Sequence, residues 1–320
     1  MEPADIRPTV SVIIPNYNHG AVLPRAIRAY LAQTLKPTEI IIIDDCSTDD
    51  SVAVAVALVR EAPDVVRLLR HEVNGGPNAG VASGLAVATG EFVTFSAADD
   101  VVEPEFLQAS VEALSQHPRA GLSFLDPSRL VLPGDIVERV PLSLATQARY
   151  FDPQEMEDVF RRNSFTISSN TVVYRRAAIS ALGGFRKDLE WQADWMANLV
   201  MSFRHGAVYV PRALAHFTVN PKGYGERGVR SAEGQRRLLE KCLVAIEQDY
   251  SDVAERFKRA GMIPEMRLRT LGWLLATERG RRFVSPRLAG MLILREAWAK
   301  LRPLTPLGLR QWMRRQLAGR

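Results

Sequence analysis

The chain has 320 residues, 47% of them hydrophobic and 24% charged, an ordinary globular make-up long enough to bury a core without disulfide or metal staples. It contains no low-complexity stretch or internal repeat, and no apolar run reaches the ~20 residues that span a bilayer. The net charge of +5 is uneven: residues 279–320 carry eleven Lys and Arg against one acidic residue, which leaves the body mildly acidic and the tail basic. Cys46 and Cys242 fit no metal spacing or redox motif and suggest a reducing compartment. The opening MEPADIRPTV lacks the basic start and apolar stretch of a signal peptide, so a cytoplasmic location is expected.

Residues 10–15 (VSVIIP) form an almost wholly apolar run, as expected of a strand buried on both faces. Asn18, His19 and Gly20 break it, and Leu23, Ile27, Tyr30 and Leu31 then share a helix face, with Pro24 tolerable only in the first turn. Residues 39–45 (EIIIIDD) are a second buried strand ending in carboxylates. Ser47 and Asp50 have the spacing of a capping box, with Val52, Val56 and Val59 as the face of the following helix. A third strand is expected over 65–69, then the turn signal Asn74, Gly75, Gly76, Pro77, then a helix on Val81, Leu85 and Ala88 stopped by Gly90. Residues 92–96 are the fourth strand, and Leu107, Val111 and Leu114 line the helix after Pro104. This alternation predicts an α/β fold with a mostly parallel sheet covered on both faces.

From Gly121 the pattern loosens. One or two short strands broken at Pro127 are expected over 123–132, another strand over 171–174, and a short helix ending at Gly183, Gly184 and Phe185. Trp195, Leu199 and Phe203 mark a helix starting near Asp194; 207–210 reads as an edge strand and 215–228 as a mobile loop. Leu239, Leu243, Ile246, Tyr250, Val253 and Phe257 keep one helical face, and three shorter helical segments follow, punctuated by Pro264, Pro286 and Pro306. Two domains are therefore expected, a catalytic one over 1–230 and a helical, basic one over 231–320.

The first strand–helix turn lacks G-x-G-x-x-G, and neither a P-loop nor a G-x-S-x-G elbow is present, which weighs against dinucleotide enzymes, P-loop enzymes and α/β hydrolases. What remains is a nucleotide-type sheet with carboxylates at the ends of its second and fourth strands, the position where open α/β sheets hold ligands. The run FVTFSAADD, ending in Asp99 and Asp100, suits a hard divalent cation shared with phosphate oxygens; read alone it is equally a strand followed by a polar turn.

Taken in order, VSVIIPNYN, EIIIIDDCSTDDS, NGGPNAGVASGLAVATGEFVTFSAADD and ALGGF with Asp194 downstream resemble the family 2 glycosyltransferases, inverting enzymes on the GT-A fold that use nucleotide-diphosphate sugars. The resemblance covers roughly residues 9–210. It implies that Pro15 and Tyr17 contact the nucleoside and that Asp45, supported by Asp44, accepts a hydrogen bond from the base, with uracil expected. Asn18 and Gly76 fall within the same nucleotide-sugar site. Out of that context, Tyr17 reads as a packing aromatic and the two aspartates as turn or capping residues. In the D-x-D position Ala97 replaces the first aspartate, Asp99 matches the second, which ligates Mg²⁺ or Mn²⁺, and Asp100 follows it. Asp194 aligns with the general base after GGF. Its usual acidic neighbour is Ala193, and Glu190 is a candidate replacement if the helix extends that far; a helix-capping role for Asp194 is the alternative.

Other departures from the family are Cys46 where glycine is usual, the lack of a phosphate-side cation at 80–82, and Asn220 near a common histidine position, with His216 nearby as a possible metal or phosphate contact. The resemblance implies transfer from a nucleotide-sugar donor to a glycan or lipid-linked acceptor in polysaccharide biosynthesis. The alternatives are a catalytically impaired GT-A-like protein that binds nucleotide or glycan, and, more distantly, a nucleotidyltransferase. The basic tail interleaves arginines with Leu288, Met291, Leu292, Trp298, Leu301, Trp312, Met313 and Leu317, the pattern of a helical cap or of peripheral contact with an anionic membrane at the inner face of the plasma membrane; no nucleic-acid partner is expected.

Overall fold

Unbroken runs of β-branched residues need cover on both faces, and they form the centre of the molecule. In β1 (Val10–Asn16) and β2 (Glu39–Asp44), Val10, Val12, Ile13, Ile14, Ile40, Ile41, Ile42 and Ile43 are all buried. The structure is a computed structural model and describes residues 8–131, 136–163, 165–218, 231–264 and 267–301. It divides into two units, Met1–Met156 with Phe165–Glu226, and Glu157–Ser164 with Arg227–Arg320.

In the first unit, strands and helices alternate as β1, α1 (Leu23–Leu31), β2, α2 (Ser51–Glu61), β3 (Val66–Arg70), α3 (Pro77–Val87), β4 (Phe92–Phe95), β5 (Val101–Val102) and α4 (Phe106–Gln116). Then follow β6 (Leu122–Leu125), β7 (Ser128–Val131), β8 (Ile136–Arg139), β9 (Arg149–Phe151), α5 (Pro153–Arg162), which belongs to the second unit from Glu157 on, β10 (Val172–Arg175), α6 (Arg176–Leu182), α7 (Ala193–His205), β11 (Ala207–Val210) and β12 (Ala215–Thr218). The eight-stranded sheet has the order β3-β2-β1-β4-β10-β6-β11-β9. Its pairs are parallel except for those of β10 with β4 and β6, and of β9 with β11. This is the expected α/β class with a mostly parallel sheet. A second sheet, β5-β12-β7-β8, has four strands.

Several expectations are corrected. Ser47 caps no helix: its hydroxyl accepts from the Asn18 amide at 3.0 Å, and α2 begins after Asp50. Asp49 holds the Gly20 and Ser51 amides at 3.1 and 3.0 Å, so the chain enters α2 with Ser51, Ala55 and Leu58 inward, while Val56 is 37% exposed. β11 lies inside the sheet between β6 and β9, and all four of its residues are buried. Residues 215–218 form a strand, because His216 and Phe217 pair in register with Ser128 and Arg129; the rest of the expected loop, with Asn220, lies outside the described residues.

The second unit is helical: α8 (Ala232–Gln248), α9 (Ala254–Ala260), α10 (Leu268–Leu275), α11 (Glu278–Arg281) and α12 (Pro286–Leu301). The expected apolar face from Leu239 to Phe257 is buried, but it is divided between α8 and α9. Within this unit the buried Glu157 accepts from Arg256 at 3.2 Å and Arg259 at 2.7 Å. In the basic tail Leu288 and Leu292 are buried, whereas Ile293, Leu294 and Trp298 are 51%, 71% and 40% exposed. Pro306, Trp312, Met313 and Leu317 lie outside the described residues, and none of the described helices is long and apolar enough to cross a membrane.

Candidate active site

Because β1, β2 and β4 run parallel, the segments after Asn16, Asp44 and Phe95 open on one edge of the sheet. Asp44 is buried and accepts from Asn16 Nδ2 at 3.3 Å and from the Ser47 amide at 3.2 Å, so it shapes the turn after β2. Asp45, also buried, accepts from the Gly75 amide (2.9 Å) and His71 Nδ1 (2.7 Å) at Oδ1 and from the Gly76 amide (2.7 Å) at Oδ2. A carboxylate offers about four acceptor sites, so Asp45 builds this loop and keeps about one site, on Oδ2, for another donor. His71 Nε2 lies 2.9 Å from Ser83 Oγ, which ties the same loop to α3.

Gly76 adopts φ 80 just before Pro77 starts α3. α3 lies directly on β1: a Cβ at Gly80 would meet Pro15 Cβ at 3.0 Å, and one at Gly84 would meet Ile13 Cγ2 at 2.4 Å. Asn18, at φ 57, clamps the first two turns together through Oδ1, which accepts from the Thr48 amide at 2.7 Å and the Asp49 amide at 3.3 Å. The clamp leaves Tyr17 45% exposed at this edge, open to a stacking partner.

After β4, Ala97 is exposed and supplies no ligand, Asp99 is half-buried, and Asp100 is buried. The Asp99 carboxylate accepts no hydrogen bond among the described residues; its backbone carbonyl accepts from Thr218 Oγ1 at 2.6 Å and Arg25 at 3.4 Å. Asp100 accepts from the Thr218 amide at 3.2 Å. Burial, reinforced by the neighbouring Asp99 charge, pushes the Asp100 carboxyl up to about 8, so it is mostly neutral at pH 7. Among the described residues no three His, Cys, Asp or Glu side chains converge as a metal cage. A cation that draws most of its ligands from substrate phosphate and water fits this donor set; one needing a protein cage does not.

β10 runs antiparallel to β4 with Tyr174 opposite Val93, so the turn leading into β10 lies at the carboxyl end of β4. Ser169 in that turn donates to Asp194 Oδ2 at 2.6 Å, which brings Asp194 to the same edge. Asp194 is half-buried in the first turn of α7, and its Oδ1 accepts from the Trp195 amide at 2.7 Å. Burial raises its carboxyl above the usual range, and the Ser169 hydrogen bond partly offsets this. Glu190 does not extend the helix: α7 starts at Ala193, and Glu190 sits in the preceding turn at φ 48, its carbonyl held by Asn78 at 2.8 Å. His216 is not an open metal or phosphate contact. It is buried, with Ser128 Oγ at 2.6 Å from Nδ1 and Glu103 Oε1 at 2.7 Å from Nε2.

Sequence reading missed His71, Arg25, Thr218, Ser169 and Asn198. His71 directly follows β3 on the loop edge, which was a usable signal. Asn198 lies one turn after Asp194 on α7, a spacing that puts both on one helix face; Arg25, Thr218 and Ser169 are joined to the site only by tertiary contacts.

This sheet, with acidic turns on one edge and an aspartate-bearing helix beside them, has the α/β fold of solved GT-A glycosyltransferase structures. The model of Glycosyl transferase family 2 matches residues 11–183, and the chain belongs to that family. S. aureus TarS in complex with UDP-GlcNAc shares the fold at TM-score 0.63 and 21% identity, over 92% of this chain and 86% of that one. The mannosyltransferase PcManGT from Pyrobaculum calidifontis, in complex with GDP-Man and Mn²⁺, does so at 0.60 and 18%, over 98% and 85%. A GalNAc(5)-diNAcBac-PP-undecaprenol beta-1,3-glucosyltransferase from Campylobacter jejuni is 36% identical over 114 residues, a match spanning 36% of either chain.

Proposed function

We propose that the protein is an inverting glycosyltransferase that moves a sugar from a nucleotide-diphosphate sugar, UDP-linked, to a hydroxyl of a glycan or lipid-linked acceptor in polysaccharide biosynthesis. The observation that carries this reading is the Asp194 carboxylate, oriented by two hydrogen bonds on the same sheet edge as Asp45 and Asp99. In the reaction the acceptor oxygen bonds to the anomeric carbon as the bond to the diphosphate breaks on the opposite face. Asp194 takes the hydroxyl proton, and its raised proton affinity suits that role.

Asp45 and Tyr17 are assigned to the base: Asp45 through its remaining acceptor site, which selects an N–H edge, and Tyr17 by stacking. Pro15, Asn18, Asp44 and Gly76 shape the pocket wall around them. Asp99 would hold Mg²⁺ or Mn²⁺ together with substrate phosphates, and Asp100, neutral and tied to Thr218, would support that turn. When bound, the ion supplies Lewis-acid stabilisation of the departing nucleoside diphosphate. The lipid-linked acceptor is supported by the Campylobacter relative's substrate name and by the exposed Ile293, Leu294 and Trp298 beside Arg295, a surface suited to the anionic inner face of the plasma membrane.

The test is incubation with UDP-GlcNAc, UDP-glucose or GDP-mannose, Mn²⁺ and polyprenyl-diphosphate-linked glycans. Nucleoside diphosphate release that depends on acceptor is the expected result. Pyrophosphate release would indicate nucleotidyl transfer, and nucleotide binding without release across the panel would favour a binding protein.

A further inference from the structure

We propose that Tyr174, Asn198 and Ser169 form a one-way hydrogen-bond relay that holds Asp194 as an ionised acceptor, which makes Ser169 a positioning residue for proton removal. This rests on the reading of Asp194 as the base.

The direction of the relay follows from donor and acceptor chemistry. Asn198, 1% exposed on α7 one turn after Asp194, places Nδ2 3.4 Å from the Ile167 carbonyl and 3.2 Å from Ser169 Oγ. A carbonyl only accepts, so the amide nitrogen must face it; the flipped amide would set its oxygen against the Ile167 carbonyl. Asn198 Oδ1 therefore faces Tyr174 Oη at 2.5 Å, and the tyrosine donates. Tyr174 is fully buried, and burial together with the Asp194 charge raises its phenol well above the usual range, so its proton stays in place. Ser169 Oγ accepts from Asn198, which leaves its single proton for Asp194 Oδ2 at 2.6 Å. Every donor thus points toward Asp194, and the last hydrogen bond is charge-assisted.

The relay joins three elements: the turn before β10, β10 itself and α7. With the Trp195 amide on Oδ1, it fixes both oxygens of the base. The Asp194 charge in turn acts on Tyr174, on β10, and helps to hold the phenol proton in place. The Ser169 hydroxyl donates more strongly to the carboxylate than to the neutral acid, so the relay pulls against the rise that burial causes.

Carbon-13 NMR of aspartate-labelled full-length protein tests this directly, with the Asp194 carboxyl signal identified by its loss in Asp194→Asn. In Ser169→Ala its titration midpoint is expected to rise by about one unit, a tenfold change in proton affinity. The acid limb of the pH profile for nucleoside diphosphate release from UDP-GlcNAc or GDP-mannose with Mn²⁺ is expected to move up by the same roughly one unit, with KM for the donor within about twofold and turnover recovering as pH rises. Ser169→Thr keeps the hydroxyl and is expected to behave as wild type. Tyr174→Phe, which removes one oxygen, is expected to move the midpoint the same way by less. An unmoved Asp194 midpoint in Ser169→Ala, or in Tyr174→Phe if the alanine variant does not fold, would overturn the relay. Unimpaired turnover by Asp194→Asn would instead overturn the base assignment, so the two failures are distinct.

Discussion

Asp99 and Asp100 are neighbours in the chain with different electrostatic fates. Asp99 stays half-exposed, whereas Asp100 is buried and its carboxyl is pushed up to about 8. The unfolded chain loses the Asp100 proton in the ordinary carboxylate range while the folded chain keeps it. The stability contributed by neutral Asp100 is therefore complete below that range and declines as pH rises to about 8. Asp100→Asn removes this decline. In metal-free buffer the variant should gain on wild type by on the order of 2–4 kcal/mol between about pH 5 and about pH 8, read from thermal melts; parallel curves would contradict the burial argument. Cys46 illustrates backbone strain: at φ 62 it occupies the left-handed region where glycine is at ease. Cys46→Gly is expected to stabilise the fold by about 0.5–1 kcal/mol in urea unfolding, the relieved strain exceeding the added chain entropy. The aspartates were legible in the sequence because each ends an apolar strand or opens a helix. The partner of Asp194 was not: Ser169 looks like an ordinary polar residue until the turn before β10 brings it beside Asp194.

At the scale of elements, α3 presents a face of small residues to β1. Its buried face is Ala79, Gly80, Val81 and Gly84, which lets its backbone lie against Pro15 and Ile13. Gly84→Ala forces a methyl toward the buried Ile13 and should cost about 1–2 kcal/mol, helix propensity offsetting part of the overpacking. Gly272→Ala on α10 meets nothing within 4 Å and should instead stabilise by about 1 kcal/mol. Urea unfolding of the two variants checks both signs. β1, β2 and β4 were readable because they are buried on both faces and carry no alternation. The phase of α2 was not, because its valines occur on several faces and only the Asp49 clamp sets which one turns inward. Nor was the antiparallel insertion of β10 between β4 and β6, which depends on pairing across the sheet.

For the whole molecule, the division of chemistry between the two units explains why the sequence spoke clearly about one and sparsely about the other. The first unit concentrates carboxylates at strand ends, where geometry gives each a readable place. The second is helical and basic, and its apolar residues serve two purposes: Leu288 and Leu292 build its core while Ile293, Leu294 and Trp298 remain exposed. Helical periodicity alone does not separate these roles. In the proposed reaction Asp194 removes the acceptor proton while Asp45 and Asp99 serve donor binding. The most direct test of that assignment is a paired measurement on Asp194→Asn, turnover with the acceptor-dependent donor and calorimetric affinity for the same nucleotide. Turnover is expected to fall by about 10³-fold or more with nucleotide affinity within about threefold of wild type. Turnover close to wild type, or a parallel collapse of nucleotide affinity, would contradict it.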